Sequence, residues 1–330
     1  MVAADMSRVQ AAVAIRDFQS EDYPAVVEIS NLLFPDDPGT VEEAKWDDKH
    51  WDADRYVRRK YVAVEPGGAV VGRASFNHIP VAFHPQRFAI WVAVHPEWQR
   101  QGIGSVLHDH LLNELRRLDA VALRTWVKES MSETAGWVAR RGFKELTRAW
   151  ESRLDLAAFD RDCFADHWGL PRDIEITSLA EELERSPNAL RDMYDLDNAV
   201  APDMPRIDPH TPMSFEMVRD WVLNSPGSEP RAIFFAKAGD CYVALTVLFK
   251  SEAQPDVLFT GTTGVLRDYR RRGIAFAIKL RSLEWAKRNG FREVRTWNNT
   301  LNEAMLAINV KLGFAKQPPW ITFGKDLTRE

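Results

Sequence analysis

Two short basic runs containing glycine are the residues in this chain best suited to chemistry: Gln99-Arg100-Gln101-Gly102-Ile103-Gly104 and Arg270-Arg271-Arg272-Gly273-Ile274-Ala275. Each follows an apolar run that reads as a strand, 88–94 and 257–265, and each opens a helical pattern. A turn whose glycines lack side chains lets backbone N–H groups approach an anion, and the helix behind it adds its positive end. Such an arrangement suits a pyrophosphate. Arg100, and more fully Arg270, Arg271 and Arg272, add guanidinium charge of the kind that pairs with phosphate oxygens. The plainer reading is that Gly102, Gly104 and Gly273 only make a tight turn, and two copies in one strand-turn-helix context weigh against it.

Two other phosphate motifs fail on residues. Neither run has the Gly-Lys-Ser/Thr ending whose lysine reaches terminal phosphates in a Walker loop. A dinucleotide fingerprint needs a third glycine where Leu107 and Ile278 stand, and a βαβ start that these meander-like halves lack.

The two runs lie 171 residues apart, from 99 to 270, and the same offset relates Arg124-Thr125-Trp126 to Arg295-Thr296-Trp297 and Gly142-Phe143 to Gly313-Phe314. Landmarks that stay in register mark a duplicated domain. A length of 330 residues suits two cores of ordinary size. The elements around the runs repeat as well. Residues 13–16 and 174–177 read as first strands; helices follow, one entered near Ser20 with an apolar stripe of Tyr23, Val26, Val27 and Ile29, the other over 180–193. Loops rich in acid and proline come next, 34–39 and 201–212, then hairpins over 61–65 with 69–76 and over 232–236 with 241–249. After each Gly run a helix is expected, lined by Leu107, Leu111, Leu115 and Leu118 in one half and by Ile274, Ala277, Ile278 and Trp285 in the other. Further strands are expected at 121–127 and 293–297; the last helices end at Gly142 and Gly313, and a final strand follows each. The mixed segment 156–171 reads as the connection between domains 1–155 and 172–330.

On the repeated Gln/Arg-x-x-Gly-x-Gly/Ala run after the fourth strand, each half resembles the GNAT superfamily of acyl-CoA N-acyltransferases, and the resemblance covers essentially the whole chain. Asn302, eleven residues before Gly313-Phe314, matches that family's second motif; Met131 stands at the matching place in the first half. The resemblance implies an α/β (α+β) fold of two tandem GNAT-type domains, each a mixed, mostly antiparallel sheet flanked by helices. It implies acetyl-CoA or another short acyl-CoA as co-substrate. The backbone of Val92, Ala93 and Val94, or of Thr263, Gly264 and Val265, would pair with the pantetheine arm like an added strand, and Gln99 to Gly104 and Arg270 to Ala275 would hold the pyrophosphate. Asn302 joins this cofactor-binding set.

The implied reaction moves an acetyl or small acyl group to the primary amine of a small molecule by direct attack. Many relatives carry a tyrosine four residues before the Gly of Gly-Phe, where this chain has Val138 and Asn309, so neither half supplies that phenolic acid. No catalytic residue is assigned. His78, His84, His95 and Asp256 lie near the fourth strands as candidate bases, and residues so placed are more often surface or turn residues than catalysts. Trp91, Trp98, Trp126, Trp137 and Trp297 are candidates either for an acceptor pocket or for core packing. Asp36, Asp37, Asp203 and Asp208 in the acid-proline loops are candidates for attracting an ammonium group. The second half, with its three arginines and Asn302, is the favoured active domain. Acylation of a protein or peptide amine, or a CoA-binding sensor or scaffold that has lost catalysis, are the alternatives.

Composition excludes several classes. A formal charge of −5 argues against a general nucleic-acid binder. Cys163 and Cys241 cannot form a metal framework, no metal is expected, and both thiols are read as buried or inert. Residues 1–13 lack a basic segment followed by a long apolar run, and no stretch approaches a membrane span. The expected setting is therefore the cytoplasm, with no membrane partner.

Overall fold

The computed structural model describes residues 13–167 and 170–328, so the stretch before Val13 and part of the expected connection lie outside the described residues. Chain contacts divide the protein into two units. Unit 1 comprises Met1–Val127, Glu133–Leu146 and Thr322–Glu330; unit 2 comprises Lys128–Ser132 and Thr147–Ile321. This differs from a contiguous cut at 156–171, because the last strand of each repeat contributes residues to the other unit. A strand's own pattern says that it is half-buried; which open sheet edge it joins is a tertiary choice that the pattern does not encode.

Unit 1 is built on β1 (Ala14–Asp17), β2 (Arg58–Val64), β3 (Val70–Asn77), β4 (Arg87–Val94) and β5 (Ala122–Lys128), in that spatial order. All neighbours are antiparallel except β4 and β5, which are parallel. Helices α1 (Tyr23–Leu33), α2 (Val41–Lys49), α3 (Ile103–Arg116) and α4 (Ser132–Ala139) belong to the same repeat. Leu107, Leu111 and Leu115 of α3 are fully buried, as an i, i+4 stripe requires, whereas Leu118 lies beyond the helix and is exposed.

Unit 2 takes the second part of β6 (Lys144–Asp155), then β7 (Ile174–Ser178), β8 (Ile233–Ala238), β9 (Cys241–Lys250), β10 (Val257–Val265) and β11 (Glu293–Asn299), ordered β7-β8-β9-β10-β11-β6. Only the β10–β11 pair is parallel in this set. Short β12 (Ala315–Lys316) pairs with β6, and β13 (Trp320–Asp326) closes the chain. Helices α5 (Leu179–Arg185), α6 (Ala189–Val200) and α7 (Phe215–Asn224) pack with Phe235, Leu245 and Val247 of the sheet, while α8 (Ile274–Arg288) packs Leu280 and Leu283 against Leu258 and Val294. Apolar clusters thus line both faces of the sheet, a third joining Ile274 and Ile278 of α8 to Phe234 and Val243. Helix α9 (Glu303–Lys311) follows β11 and ends before Gly313, which takes the left-handed conformation at φ 92°.

Three local readings change. The run 180–193 is two helices, since Ser186-Pro187 ends α5 and Ala189 starts α6. Helices α2 and α7 follow the acid-proline loops unannounced; α2 buries no side chain and so shows no stripe, and a Thr40–Glu43 capping box holds its start. Cys163 and Cys241 are both exposed free thiols rather than buried ones. Cys241 opens β9 beside a Gly turn, where an edge residue faces water. Among the described residues no helix is long and apolar enough to cross a membrane.

Candidate functional site

Each Gly run folds into the same alternation of backbone signs. Arg100 and Gly102 have φ 65° and 88°, and Arg271 and Gly273 have φ 60° and 77°. Left-handed residues alternating with residues of negative φ turn successive N–H groups toward one point and make an anion nest, and α3 or α8 begins directly behind it. The first residue of each run braces the nest from the strand: Gln99 Nε2 donates to Val94 O at 3.0 Å, and Arg270 Nε donates to Val265 O at 2.9 Å. Three of the four arginines expected to supply direct charge are already paired. Arg270 meets Asp203 at 2.5 Å, Arg272 meets Asp173 at 2.7 Å, and Arg100 meets Glu133 at 2.5 Å. Asp203, read from sequence as a contact for an ammonium, instead ties the acid-proline loop to Arg267 and Arg270, which hold its carboxyl well below the usual range.

The parallel strands then separate. The β4–β5 ladder ends at Ala89↔Arg124 and the β10–β11 ladder at Phe259↔Arg295. Beyond those points Val92, Ala93 and Val94, and likewise Thr263, Gly264 and Val265, keep their antiparallel partners on one side and present an open edge on the other. This is the geometry that accepts an extended chain as an extra strand.

The two openings differ in what fills them. In unit 1 β4 runs in unbroken register along β3, and Trp91 stacks on Trp126 of β5, ring centroids 6.1 Å apart, so that two indoles bridge the separating strands. In unit 2 the register slips between Thr260 and Thr263: Gly261 and Thr262 together stand opposite Val247, a β-bulge that takes one backbone group out of the ladder. Thr262 occupies the repeat position of Trp91. Trp297, the counterpart of Trp126, stacks instead on Phe259 at 5.7 Å, back over the paired end of the strands. The opening in unit 2 is left free.

A cavity of about 260 Å³ occupies it, lined by the bulge residues Thr260 and Gly261, by Thr296 and Asn298 of β11, and by Met204 and Arg206 of the acid-proline loop. Asn302 lines it too, while its Oδ1 caps α9 by accepting from Met305 N at 3.4 Å. Two further groups, neither of them singled out by sequence, matter here. Lys279 of α8 lines the cavity and is only 2% exposed; burial pulls its ammonium down to about 8, and its nearest charge-stabilising neighbour is the Phe314 ring at 5.4 Å. Asp197 of α6 reaches the bulge from the opposite face, where Thr262 hydrogen-bonds its carboxyl; burial raises its pKa, and Oδ1 is buried with no hydrogen-bond partner. Both sit inside apolar helix stripes. The repeat offset was the available signal for Lys279, since 171 residues earlier stands His108, another buried titratable group in an apolar stripe.

The histidines and Asp256 have structural work. His78 stacks on Phe88, its Nδ1 accepts from Val57 N at 3.0 Å and its Nε2 donates to Pro85 O at 3.1 Å; burial lowers its pKa against the opposing effect of the Pro85 bond. His84 and His95 accept turn amides from Gln86 and Glu97, and Asp256 pairs with Arg292 at 2.7 Å. Trp137 packs on Arg141 and His108. Among the described residues no cluster of three His, Cys, Asp or Glu side chains could hold a metal ion.

A nest, a strand pair that separates beside it and a helix running from the nest occur twice, and the acetyltransferase (GNAT) family model matches twice, at residues 23–143 and 190–314. The chain belongs to the GNAT family. Two solved structures align along nearly its whole length. A GCN5-related N-acetyltransferase from Sphaerobacter thermophilus shares 17% identity over 95% of both chains, with a TM-score of 0.70. A tandem GNAT protein from the clavulanic acid biosynthesis pathway shares 20% identity over 95% of this chain and 98% of that one, with a TM-score of 0.72. At these identities the likeness is one of fold. No curated protein matches the sequence significantly. GNAT enzymes draw on acetyl-CoA, and the twin nests and open strand edges of this GNAT protein suit a diphosphate with an extended arm.

Proposed function

We propose that unit 2 is an N-acyltransferase site that moves an acetyl or small acyl group from CoA to the primary amine of a small molecule. The observation that carries the reading is the free, bulged opening between β10 and β11, set beside the nest at Arg270–Ala275. Backbone amides of the nest would take the pyrophosphate, and the open edge at Thr263, Gly264 and Val265 would take the arm. The N–H released at the bulge is placed to polarise a thioester carbonyl, the role in which fixed amides contribute most to acyl transfer. Asp197, across the bulge, would receive the acceptor's ammonium and then its proton, leaving a neutral amine to attack.

A cavity of about 260 Å³ roofed by Met204 and Arg206 favours a small acceptor over a protein side chain presented on a broad surface. Unit 1, its opening bridged by Trp91 and Trp126, is assigned a structural part. Incubation of the purified chain with acetyl-CoA and a panel of small primary amines, with thiol release followed, tests the reading. Turnover that depends on an amine supports it. Turnover only with peptide amines would move the acceptor class to proteins, and binding of acetyl-CoA without thiol release under any amine would make the protein a CoA sensor.

A further inference from the structure

We infer that Lys279 is a catalytic residue of this site, the group that meets the departing CoA sulfur and gives it a proton. The inference rests on the acyl-CoA reading above. Strands β10 and β11 converge at Phe259↔Arg295, so an arm entering from the nest and lying along the open edge must stop there. From Val265 back to Thr260 is roughly 17 Å of strand at 3.3 Å per residue, room for an extended pantetheine arm. The blind end of the opening is walled by Thr260, Gly261 and Thr296, and Lys279 lines the same cavity. The sulfur and the ammonium are therefore brought to one place.

The chemistry of the pocket agrees. Lys279 and Arg206 are its charged lining side chains, and no carboxylate lines it among the described residues. An ammonium only 2% exposed, with the Phe314 ring beside it and no carboxylate in the cavity lining, is expensive, and packing alone would be served better by an aliphatic residue. The negative charge that answers it arises during the reaction. When the amine attacks, the C–N bond forms; when the C–S bond breaks, its electron pair stays on sulfur. Lys279 Nζ–H passes a proton to that thiolate; the first proton taken from the acceptor leaves Asp197 to solvent, and the second, shed by the new amide nitrogen, returns the lysine to its ammonium form through water. At neutral pH the amine of Lys279 is still mostly protonated, as an acid must be, yet burial has made it a far better donor than an exposed lysine. Asn309, which donates to Asn298 at 2.6 Å, has no proton of that kind to give. In the first repeat the same position holds His108, facing Phe143 as Lys279 faces Phe314, but burial disfavours its charge. The duplicated fold thus keeps a titratable group here and an ammonium only beside the free opening.

Free CoA bound to the full chain tests this without an acceptor. The ultraviolet absorbance of its thiolate is followed against pH for wild type, Lys279→Met and Lys279→Arg. The wild type is expected to hold about tenfold more thiolate than free CoA at a pH below the thiol's own pKa, as the ammonium–thiolate pair from which the proton transfer starts; Lys279→Met should return it to the free value, and Lys279→Arg should keep part of the gain. CoA that binds to wild type with an unshifted thiol would overturn the role of Lys279 while leaving the acyl-CoA reading intact, and this arm needs no variant to fold. A shift that survives in Lys279→Met would overturn it equally. Failure of CoA to bind the wild type at all would remove both.

Discussion

Asp197→Asn is expected to lower kcat by about 10²- to 10⁴-fold, the range by which a positioned base accelerates proton transfer, while acetyl-CoA binding changes little. The reason is geometric: the carboxyl lies across the bulge from the arm, bonded to Thr262, with Oδ1 turned into a buried space and no partner. The pH dependence follows from the sign of its shift. Burial raises the pKa, against the opposing effects of Thr262, His210 and Arg206, so the acid limb of the rate should fall above the range of an exposed carboxylate. Below that limb the group is protonated and cannot accept; above it the rate is full, and Asn should remove the limb together with the rate. Stability should move the other way. A carboxyl whose folded pKa exceeds its unfolded one favours the native state at acid pH, and that contribution is lost as pH rises through the folded value. At pH 7 the asparagine variant should therefore unfold at the same temperature as wild type or higher. A variant with wild-type kcat would remove Asp197 from the reaction.

Gly264→Val is expected to cost about 1–3 kcal/mol of stability and most of the activity. A Cβ built on Gly264 would stand 2.5 Å from Val200 Cγ2 and 2.7 Å from Val200 Cβ, closer than packed carbons tolerate. Val200 is on α6, one helical turn from Asp197, so a side chain at 264 pushes away the helix that carries the proposed base. The pair gives a clean cycle: Gly264→Ala should be destabilising in the wild-type background and markedly less so when combined with Val200→Ala. Chemical denaturation of the four proteins measures the coupling. Additive losses would mean that α6 and β10 are not in contact at Val200 and Gly264.

The sequence showed most of the scaffold because the scaffold is what duplication repeats. Strands β4 and β10, the hairpins β2–β3 and β8–β9 and the helices behind each Gly run combine apolar period with turn glycines, two signals that agree locally. Gly102 and Gly273 were legible as turn positions for the same reason, and both take positive φ. What escaped lies in tertiary choices. Nothing in the pattern of 147–155 or 322–326 tells which sheet those residues will complete. The arginines of the second run read as anion ligands, yet Asp203 and Asp173, 67 and 99 residues away in sequence, neutralise two of them. The bulge at Thr260–Thr263 was invisible, since Gly261-Thr262-Thr263-Gly264 fits a plain strand end equally well. Lys279 and Asp197 were hidden because a single polar residue in an apolar helix stripe is ordinarily read as noise on the periodicity; burial separates Lys279 from a solvated face, and a buried carboxylate oxygen without a partner does so for Asp197.

Calorimetric titration of acetyl-CoA into the wild type, Gly102→Glu and Gly273→Glu bears most directly on the assignment of the acyl-CoA site to unit 2. A glutamate at either glycine puts a carboxylate, and a strained left-handed side chain, where a pyrophosphate would approach. One equivalent should bind the wild type, persist in Gly102→Glu and vanish in Gly273→Glu. Binding that survives Gly273→Glu and is lost in Gly102→Glu would place the site in unit 1 and contradict the assignment.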